Sequence, residues 1–233
     1  MKYLLLITTL ALLSACGAQP TKEVTLPGIE GKFLSLGDTR LEQFLVRDEK
    51  QFSEYNKIAF YPLKIEGMTI EQTGKRRIDK SWTNLDVNDF SAQSTAFAKE
   101  TRKLFHGNKE FTLTQKAEEK TLAVQVRFVR MYPNAPYPSK DIGSGINDET
   151  YRNFGKLAIQ ATVSDINTGE LLAIIDDGFT LLPSGTGISS FGSTTTVDLT
   201  SRNTSASLNN AMRKGISQWL YGLRSDLVKL KKQ

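Results

Sequence analysis

The chain has 233 residues, a formal net charge of +5, one cysteine and one histidine. Its length suits a single domain with an adequate core, and a lone thiol excludes an internal disulfide. The lone histidine, His106, excludes a histidine-rich metal centre, and a Ser–His–Asp site would have to rely on this one residue.

The first 15 residues predict a secretory signal peptide. Lys2 precedes an apolar run that has the length of a signal-peptide core and is too short to span a bilayer. The run leads into Leu13, Ser14, Ala15 and Cys16. This arrangement resembles the bacterial lipobox, which implies that Cys16 becomes the first mature residue and carries acyl chains such as palmitate. An ordinary signal peptide with a cysteine near the cut is the alternative.

The lipobox resemblance implies a location as well as an anchor. Two or more acyl chains hold a protein firmly on a bilayer, whereas one chain holds it only marginally. In the sorting rule of enteric lipoproteins, Gly17 after the cysteine favours the outer membrane, with the inner membrane as the alternative. We therefore expect a periplasm-facing, lipid-anchored protein. Export argues against a nucleic-acid partner despite the basic charge.

The mature chain divides into a tether and one domain. Residues 16–31 mix Gly, Pro and polar residues, which predicts a flexible tether, and residues 32–233 predict a single periplasmic α/β domain. Scattered apolar residues over 32–55 predict packing along the domain edge. The stretch NKIAFYPLKI predicts a strand, residues 66–85 a polar loop, and the apolar stripe over 86–107 a helix.

Two hairpins and a helix follow. EFTLTQ and TLAVQVRFVRM have a short connection and predict the first hairpin, while KLAIQATVSD and LLAIIDDGFTLL flank a DINTGE turn and predict the second. A broad apolar stripe ending in lysines predicts a C-terminal helix. The resulting order, β-α-β-β-β-β-α, indicates an α/β (α+β) fold: a largely antiparallel five-stranded sheet with two helices packed on one face.

Strand directions predict where the long loops lie. Counting along the chain places loops 132–152 and 183–203 at one end of the sheet and residues 66–85 at the other. Tyr132, Tyr137 and Phe191 belong to the first two loops, where aromatic groups suit a sugar, a peptide or a partner protein. Packing of these rings beneath the loops is the alternative.

Catalytic signals are weaker than binding signals. Asp165, Glu170, Asp176 and Asp177 share the second hairpin and suggest an alternative function, a cell-envelope hydrolase that uses the carboxylates near Asp176 and Asp177. Turn formation and solvation at the strand end are the competing explanation. The sequence contains no nucleophile motif or metal-ligand cluster, and SGTGISSFGS lacks a phosphate-loop pattern. We therefore predict a non-enzymatic binding or scaffold protein, without cofactor or metal, whose partner is an envelope protein or a cell-wall polymer.

From Gln51 onward the chain resembles a family of Gram-negative lipoproteins, the domain-of-unknown-function 3313 family. The resemblance is carried by QFSEYNKIAFYPLKI with its Tyr55, by the turn at Asp165–Glu170 and by Trp219 in the last helix. The Ser/Thr-rich loop before that helix departs from the family pattern. The resemblance implies a location and a fold, and it implies no chemistry.

Overall fold

The computed structural model describes residues 22–83, 85, 87–138, 150–151, 153–182, 201–202 and 205–233. Within these ranges the chain forms a mixed sheet of nine strands and a separate sheet of two strands. The α+β class predicted from the sequence is therefore confirmed, but the prediction of five strands was wrong. The signal peptide, Cys16 and Phe191 lie outside the described residues.

The strands are β1 Lys22–Thr25, β2 Lys32–Ser35, β3 Gln43–Val46, β4 Lys57–Phe60, β5 Thr69–Ile70, β6 Thr112–Leu113, β7 Thr121–Pro133, β8 Thr150–Tyr151, β9 Gly155–Asp165, β10 Leu171–Thr180 and β11 Ser201–Arg202. The helices are α1 Arg76–Trp82, α2 Ser91–Phe105 and α3 Ser205–Lys231, with 3-10 turns at Glu49–Glu54 and Val87–Phe90. The large sheet runs β1-β2-β3-β10-β9-β7-β4-β6, β5 adds to β7, and β8 pairs with β11.

The part of the sheet formed by β7, β4 and β6 is parallel, whereas the strands from β1 to β7 along the sheet order pair antiparallel. β4 lies between β6 and β7 and is parallel to both, with Ile58 opposite Leu113 on one side and Leu122 on the other. The predicted hairpin of EFTLTQ and TLAVQVRFVRM is therefore wrong. The connection between these strands is short, but it passes the end of β4 instead of reversing the chain, because the buried Ile58 fills the place between them.

The parallel pairing also changes which loops meet. Since β4 and β7 point the same way, the segment 66–85 emerges beside the end of β7, and β5 pairs there with Arg130 and Met131. The Trp82 indole Nε1 donates to the Ala135 carbonyl over 2.9 Å, and the Tyr137 N–H donates to Ser81 Oγ over 2.8 Å. The predicted placement of 66–85 at the opposite end was wrong.

The N-terminal strands extend the sheet beyond the predicted domain. β1 lies within the segment predicted as a tether, and β1 to β3 form an antiparallel meander that joins β10. Phe33, Leu45 and Ile174 form a small core on the sheet face opposite the helices, and Val24 and Ile29 pack against it. Burial of these side chains holds residues 22–36 against the domain.

The main core lies between the sheet and the helices α2 and α3. Alternate residues of β7 and β9 point into it, among them Leu122, Val124, Val126, Leu157, Ile159 and Val163. The Phe60 ring packs on α2, with its centroid 6.1 Å from that of Phe97 and 4.9 Å from that of Phe105. The helix predicted over 86–107 is confirmed as the 3-10 turn followed by α2, and the C-terminal helix is confirmed as α3.

The second predicted hairpin is confirmed as β9 and β10, joined by the turn after Asp165. Asp165 Oδ1 accepts hydrogen bonds from the N–H groups of Asn167 and Thr168, each 2.8 Å long. Gly169 takes a φ of +72°, which glycine adopts without strain. None of the helices in the described ranges is long and apolar enough to cross a bilayer.

Candidate functional site

The sheet face opposite α2 and α3, called here the open face, carries mainly polar and small side chains. Gln125, Arg127, Arg130 and Tyr132 lie on it along β7, and Lys156, Ala158 and Gln160 lie beside them on β9. A sheet that is polar on one face and apolar on the other packs helices on the apolar face only. The β1–β3 meander extends the sheet beside β10, and its apolar side chains form the small core on this face.

A groove of about 560 Å³ crosses this face near the end of β7. Its walls include Tyr132, Lys156, Ala158, Glu42, Gln43 and Asp176. The Lys156 side chain lies over Gly178, where an added Cβ would meet Lys156 Cε at 2.7 Å. Its Nζ pairs with Glu42 Oε1 at 3.2 Å, an exposed ion pair that contributes little stability. The groove offers one aromatic ring and charges of both signs.

Tyr132 is the predicted binding residue that the structure places on an exposed surface. Its side chain is 42% exposed, and its hydroxyl accepts a hydrogen bond from Arg130 Nη1 at 3.3 Å. The Arg130 guanidinium also lies 5.9 Å from the ring centroid, within the range of a cation–π contact. Arg130 therefore contacts both the hydroxyl and the ring of Tyr132.

Tyr137 occupies a different environment. Its ring meets Trp82 edge to face, with centroids 5.1 Å apart, and it packs against the main core. Burial raises the pKa of its hydroxyl, and the charge of Asp89 adds to the effect. The Tyr137 ring therefore packs against Trp82 and the main core. Tyr132 and Tyr137 do not share one surface, and Phe191 lies outside the described residues.

The structure separates the carboxylates of the alternative hydrolase. Asp176 and Asp177 both border the groove, but Asp176 pairs with Gln160 and Asp177 with Ile159, so alternation along β10 directs the two side chains away from each other. The Gln160 amide donates to Asp176 Oδ1 over 2.6 Å. Burial raises the pKa of Asp177 to about 6. A hydrogen bond from the Gly178 N–H acts in the opposite direction and lowers this pKa. The charge of Glu42, which borders the same groove, also raises the pKa of Asp177. Glu42 is itself paired with Lys156 at 3.2 Å.

The other polar candidates have structural partners. Asp165 accepts hydrogen bonds from the N–H groups of Asn167 and Thr168 in the turn that follows it. It also accepts one from the Tyr55 hydroxyl at 3.0 Å. His106 ends α2, where its N–H donates to the Arg102 carbonyl. Among the described residues no group of three or more His, Cys, Asp or Glu side chains could hold a metal ion.

Sequence reasoning missed two cations on the open face, Lys64 and Arg127. They lie opposite each other in an isolated parallel bridge between the segment after β4 and β7. Arg127 is visible in the sequence as a polar interruption of an apolar strand. The proximity of Lys64 to Arg127 could not be inferred, because the parallel pairing of β4 with β7 was not predicted.

Comparisons with known proteins leave the function open. No protein-family model matches the chain, and no curated protein matches its sequence. The similar solved structures include a PelC dodecamer from Paraburkholderia phytofirmans (9% identity, TM-score 0.32, covering 72% of this chain and 87% of that one). They also include the hypothetical protein CT253 from Chlamydia trachomatis (10% identity, TM-score 0.32, covering 73% and 99%).

A third similar structure is protein XCC0632 from Xanthomonas campestris, assigned to domain-of-unknown-function 330 (8% identity, TM-score 0.31, covering 74% and 95%). None of these three proteins is named as an enzyme. At this level of similarity the comparisons carry no argument about what the chain binds or does.

Proposed function

We propose that this chain is a bacterial lipoprotein that acts by binding a partner in the cell envelope, without catalysing a reaction. The observation that carries the proposal is the position of the only cysteine, Cys16, behind an apolar leader and the residues Leu13, Ser14 and Ala15. Acyl chains on Cys16 anchor the domain in the membrane, and Gly17 directs it to the periplasmic side of the outer membrane. The proposal includes membership of the domain-of-unknown-function 3313 lipoprotein family.

The open face is the surface that we assign to the partner. It combines an exposed aromatic ring, Tyr132, with a groove and with cations of which Lys64 and Arg127 lack partners among the described side chains. Exposed aromatic and arginine side chains are the residue types that contribute most to binding surfaces. An envelope protein or a cell-wall polymer is the partner expected at this cellular location.

Metabolic labelling with palmitate tests the anchor. Wild type should incorporate label and sediment with the outer membrane, whereas Cys16→Ser should incorporate none and remain in the periplasmic extract. Equal incorporation by the two proteins would refute lipidation at Cys16.

Crosslinking in cells tests the surface. A photo-reactive residue in place of Tyr132 should give a discrete adduct, while the same residue in place of Tyr221, which is 48% exposed on α3, should not. Identical adducts from both positions would contradict the proposal that the partner binds the open face.

A hydrolase remains the second candidate because the pKa of Asp177 is raised beside the groove. A carboxyl with a raised pKa is a suitable general acid. The opposite directions of Asp176 and Asp177 argue against a carboxylate pair. If an envelope-degrading activity is found, Asp177→Asn should abolish it under this hypothesis, and full activity of that variant would eliminate the candidate.

A further inference from the structure

Two cations occupy opposed positions on the open face, and neither is part of an ion pair with another described residue. Lys64 and Arg127 are both exposed and occupy directly opposed positions. In the described part of the chain, neither side chain makes a hydrogen bond or an ion pair. Other cations of the same face differ: Arg130 Nε lies 3.0 Å from Glu71 Oε1, and Lys156 is paired with Glu42.

This placement works against the stability of the sheet. Neighbouring strands are about 4.8 Å apart, and like charges directly opposite each other repel. Gln160, the neighbour of Arg127 on β9, is neutral, and it already holds the Asp176 carboxylate at 2.6 Å. Positions that break a local stability rule without compensation are expected at functional sites. An anionic group between Lys64 and Arg127 would supply the missing counter-charge.

Aromatic rings lie on both sides of this pair. Tyr61 is 48% exposed and Tyr132 is 42% exposed. The Tyr61 N–H donates to the Val124 carbonyl, and because Phe60 packs on α2, alternation directs the Tyr61 ring to the open face. The positions of Tyr61 and Tyr132 along β7 are about 20 Å apart at 3.3 Å per residue. We call this row, Tyr61, Lys64, Arg127, Arg130 and Tyr132, the Tyr61–Tyr132 track.

We propose that the Tyr61–Tyr132 track binds a glycan strand that carries carboxylates, as the peptidoglycan of the periplasm does. The guanidinium of Arg127 is suited to bidentate contact with a carboxylate, and Lys64 adds a second donor. The tyrosine rings offer flat apolar surfaces with a polar tip, which suit sugar rings at either end. The length of the track matches an extended polymer and exceeds a single sugar. The inference rests on the proposed periplasmic location and names the class of partner.

Co-sedimentation with purified peptidoglycan sacculi tests the inference, using the full mature protein in detergent. Arg127→Gln and Lys64→Gln should each weaken binding by about tenfold, the effect of losing one charge-assisted contact of about 1.4 kcal/mol. Lys99→Gln is the matched control, because Lys99 is an exposed lysine on α2, on the other side of the sheet. Binding should fall as salt rises, and chitin, which has similar sugars without carboxylates, should not bind. The melting temperatures of Arg127→Gln and Lys64→Gln should equal or exceed that of wild type.

Three results would overturn the inference. The first is that Arg127→Gln binds sacculi as well as wild type does, or that Lys99→Gln loses as much binding as Arg127→Gln does. The second is equal binding to chitin, which would mean that carboxylates are not recognised. The third is preferential binding of poly-glutamate over sacculi, which would make the ligand an acidic peptide. Because sacculus binding is measured on purified protein, it is independent of the palmitate experiment on Cys16.

Discussion

The Tyr55 hydroxyl links the start of β4 to the turn between β9 and β10. It donates to Asp165 Oδ2 over 3.0 Å. Burial raises the pKa of Tyr55, and the hydrogen bond to Asp165 raises it further. Burial alone would raise the pKa of Asp165, but hydrogen bonds from Thr168, Asn167 and Tyr55 outweigh it and lower that pKa. Two residues that carry the family resemblance therefore touch, and their contact is structural.

Tyr55→Phe should reduce the free energy of unfolding by about 1–2 kcal/mol, because it removes a donor from a charged acceptor while keeping the ring. Urea denaturation at neutral pH measures the change. Tyr61→Phe is the control, since the Tyr61 side chain is largely exposed, and it should change stability by less than about 0.5 kcal/mol. Equal effects of the two substitutions would contradict the structural role of this hydrogen bond.

Asp177→Asn should stabilise the protein at pH 7. Burial raises the pKa of Asp177 from 3.8 to about 6, so between these values the folded state binds the proton more tightly than the unfolded state does. The free energy of unfolding therefore falls as pH rises through this window. The asparagine removes the cost of the buried charge and keeps an acceptor for the Gly178 N–H. We expect a gain on the order of 1 kcal/mol at pH 7, after allowance for the partial exposure of Asp177.

Urea titrations at pH 4 and pH 7 provide the measurement for Asp177→Asn. The pH dependence attributable to this carboxyl should disappear in the variant. Asp176→Asn serves as the comparison, because Asp176 is hydrogen-bonded to Gln160, and it should bring no gain. An unchanged pH slope in Asp177→Asn would disprove the assignment of the raised pKa.

At the scale of single residues, part of the candidate site could be predicted from the sequence. LLAIIDDGFTLL is predicted as a strand, and strand alternation by itself places Asp176 and Asp177 on opposite faces. The proximity of Tyr132 to Lys156 follows from the register of β7 with β9, which the sequence does not specify. Tyr137 and Tyr132 look alike in the sequence, and only the position of Trp82 distinguishes the buried ring from the exposed one.

Among the elements, α3 approaches the sheet closely at Gly215. A Cβ at this position would lie 2.2 Å from ring carbons of Phe179, a partly buried residue near the end of β10. Gly222, two turns later on the same helix, faces the tip of the Leu41 side chain at 3.0 Å. The two glycines thus differ in what surrounds them, although both would gain helix propensity as alanine.

Gly215→Ala should destabilise the protein by about 1–2 kcal/mol, because the cost of overpacking against an aromatic ring exceeds the gain in helix propensity of about 1 kcal/mol. Gly222→Ala should lie within about 0.5 kcal/mol of wild type, since a flexible leucine tip can move aside. The melting temperatures of the two variants, measured by thermal unfolding, test this difference. A stabilised Gly215→Ala variant would show that Phe179 relaxes freely.

Elements with a strong apolar period were predictable, and short elements were not. β7, β9, β10 and α3 carry long alternating or helical stripes, so their types follow from the sequence. β1, β2 and β3 have four residues each, too few to establish a period. The error over β6 and β7 arose because a short connection favours a hairpin, while the insertion of β4 depends on distant contacts.

At the scale of the whole molecule, the sheet has two apolar layers of unequal size. The larger one packs against the helices. The smaller one consists of Phe33, Leu45 and Ile174, and Leu26 and Ile29 from the connection between β1 and β2 pack against it. Arg47 strengthens this arrangement by donating to the Glu30 carbonyl at 2.8 Å and by lying over the Phe33 ring at 5.5 Å. The N-terminal strands are therefore part of the folded unit.

Phe33→Ala should reduce the free energy of unfolding by about 3 kcal/mol, the usual cost of removing a fully buried phenylalanine. Glu23→Ala removes one half of the exposed Glu23–Lys32 ion pair in the same meander and should cost less than about 0.5 kcal/mol. Guanidinium denaturation measures both. If Phe33→Ala unfolds like wild type, residues 22–36 do not belong to the cooperative domain.

Under the proposed anchoring at Cys16, the early start of β1 would limit how far the domain can move from a lipid surface. With acyl chains on Cys16, only about six residues separate the anchor from Lys22, and even a fully extended chain of that length reaches about 22 Å. Such a tether is shorter than a small domain is wide, so the proposed anchor would keep the β1 edge of the sheet close to the headgroups. Under the proposed anchoring, a partner that spans the periplasm would have to approach the membrane, because so short a tether cannot carry the domain out to it.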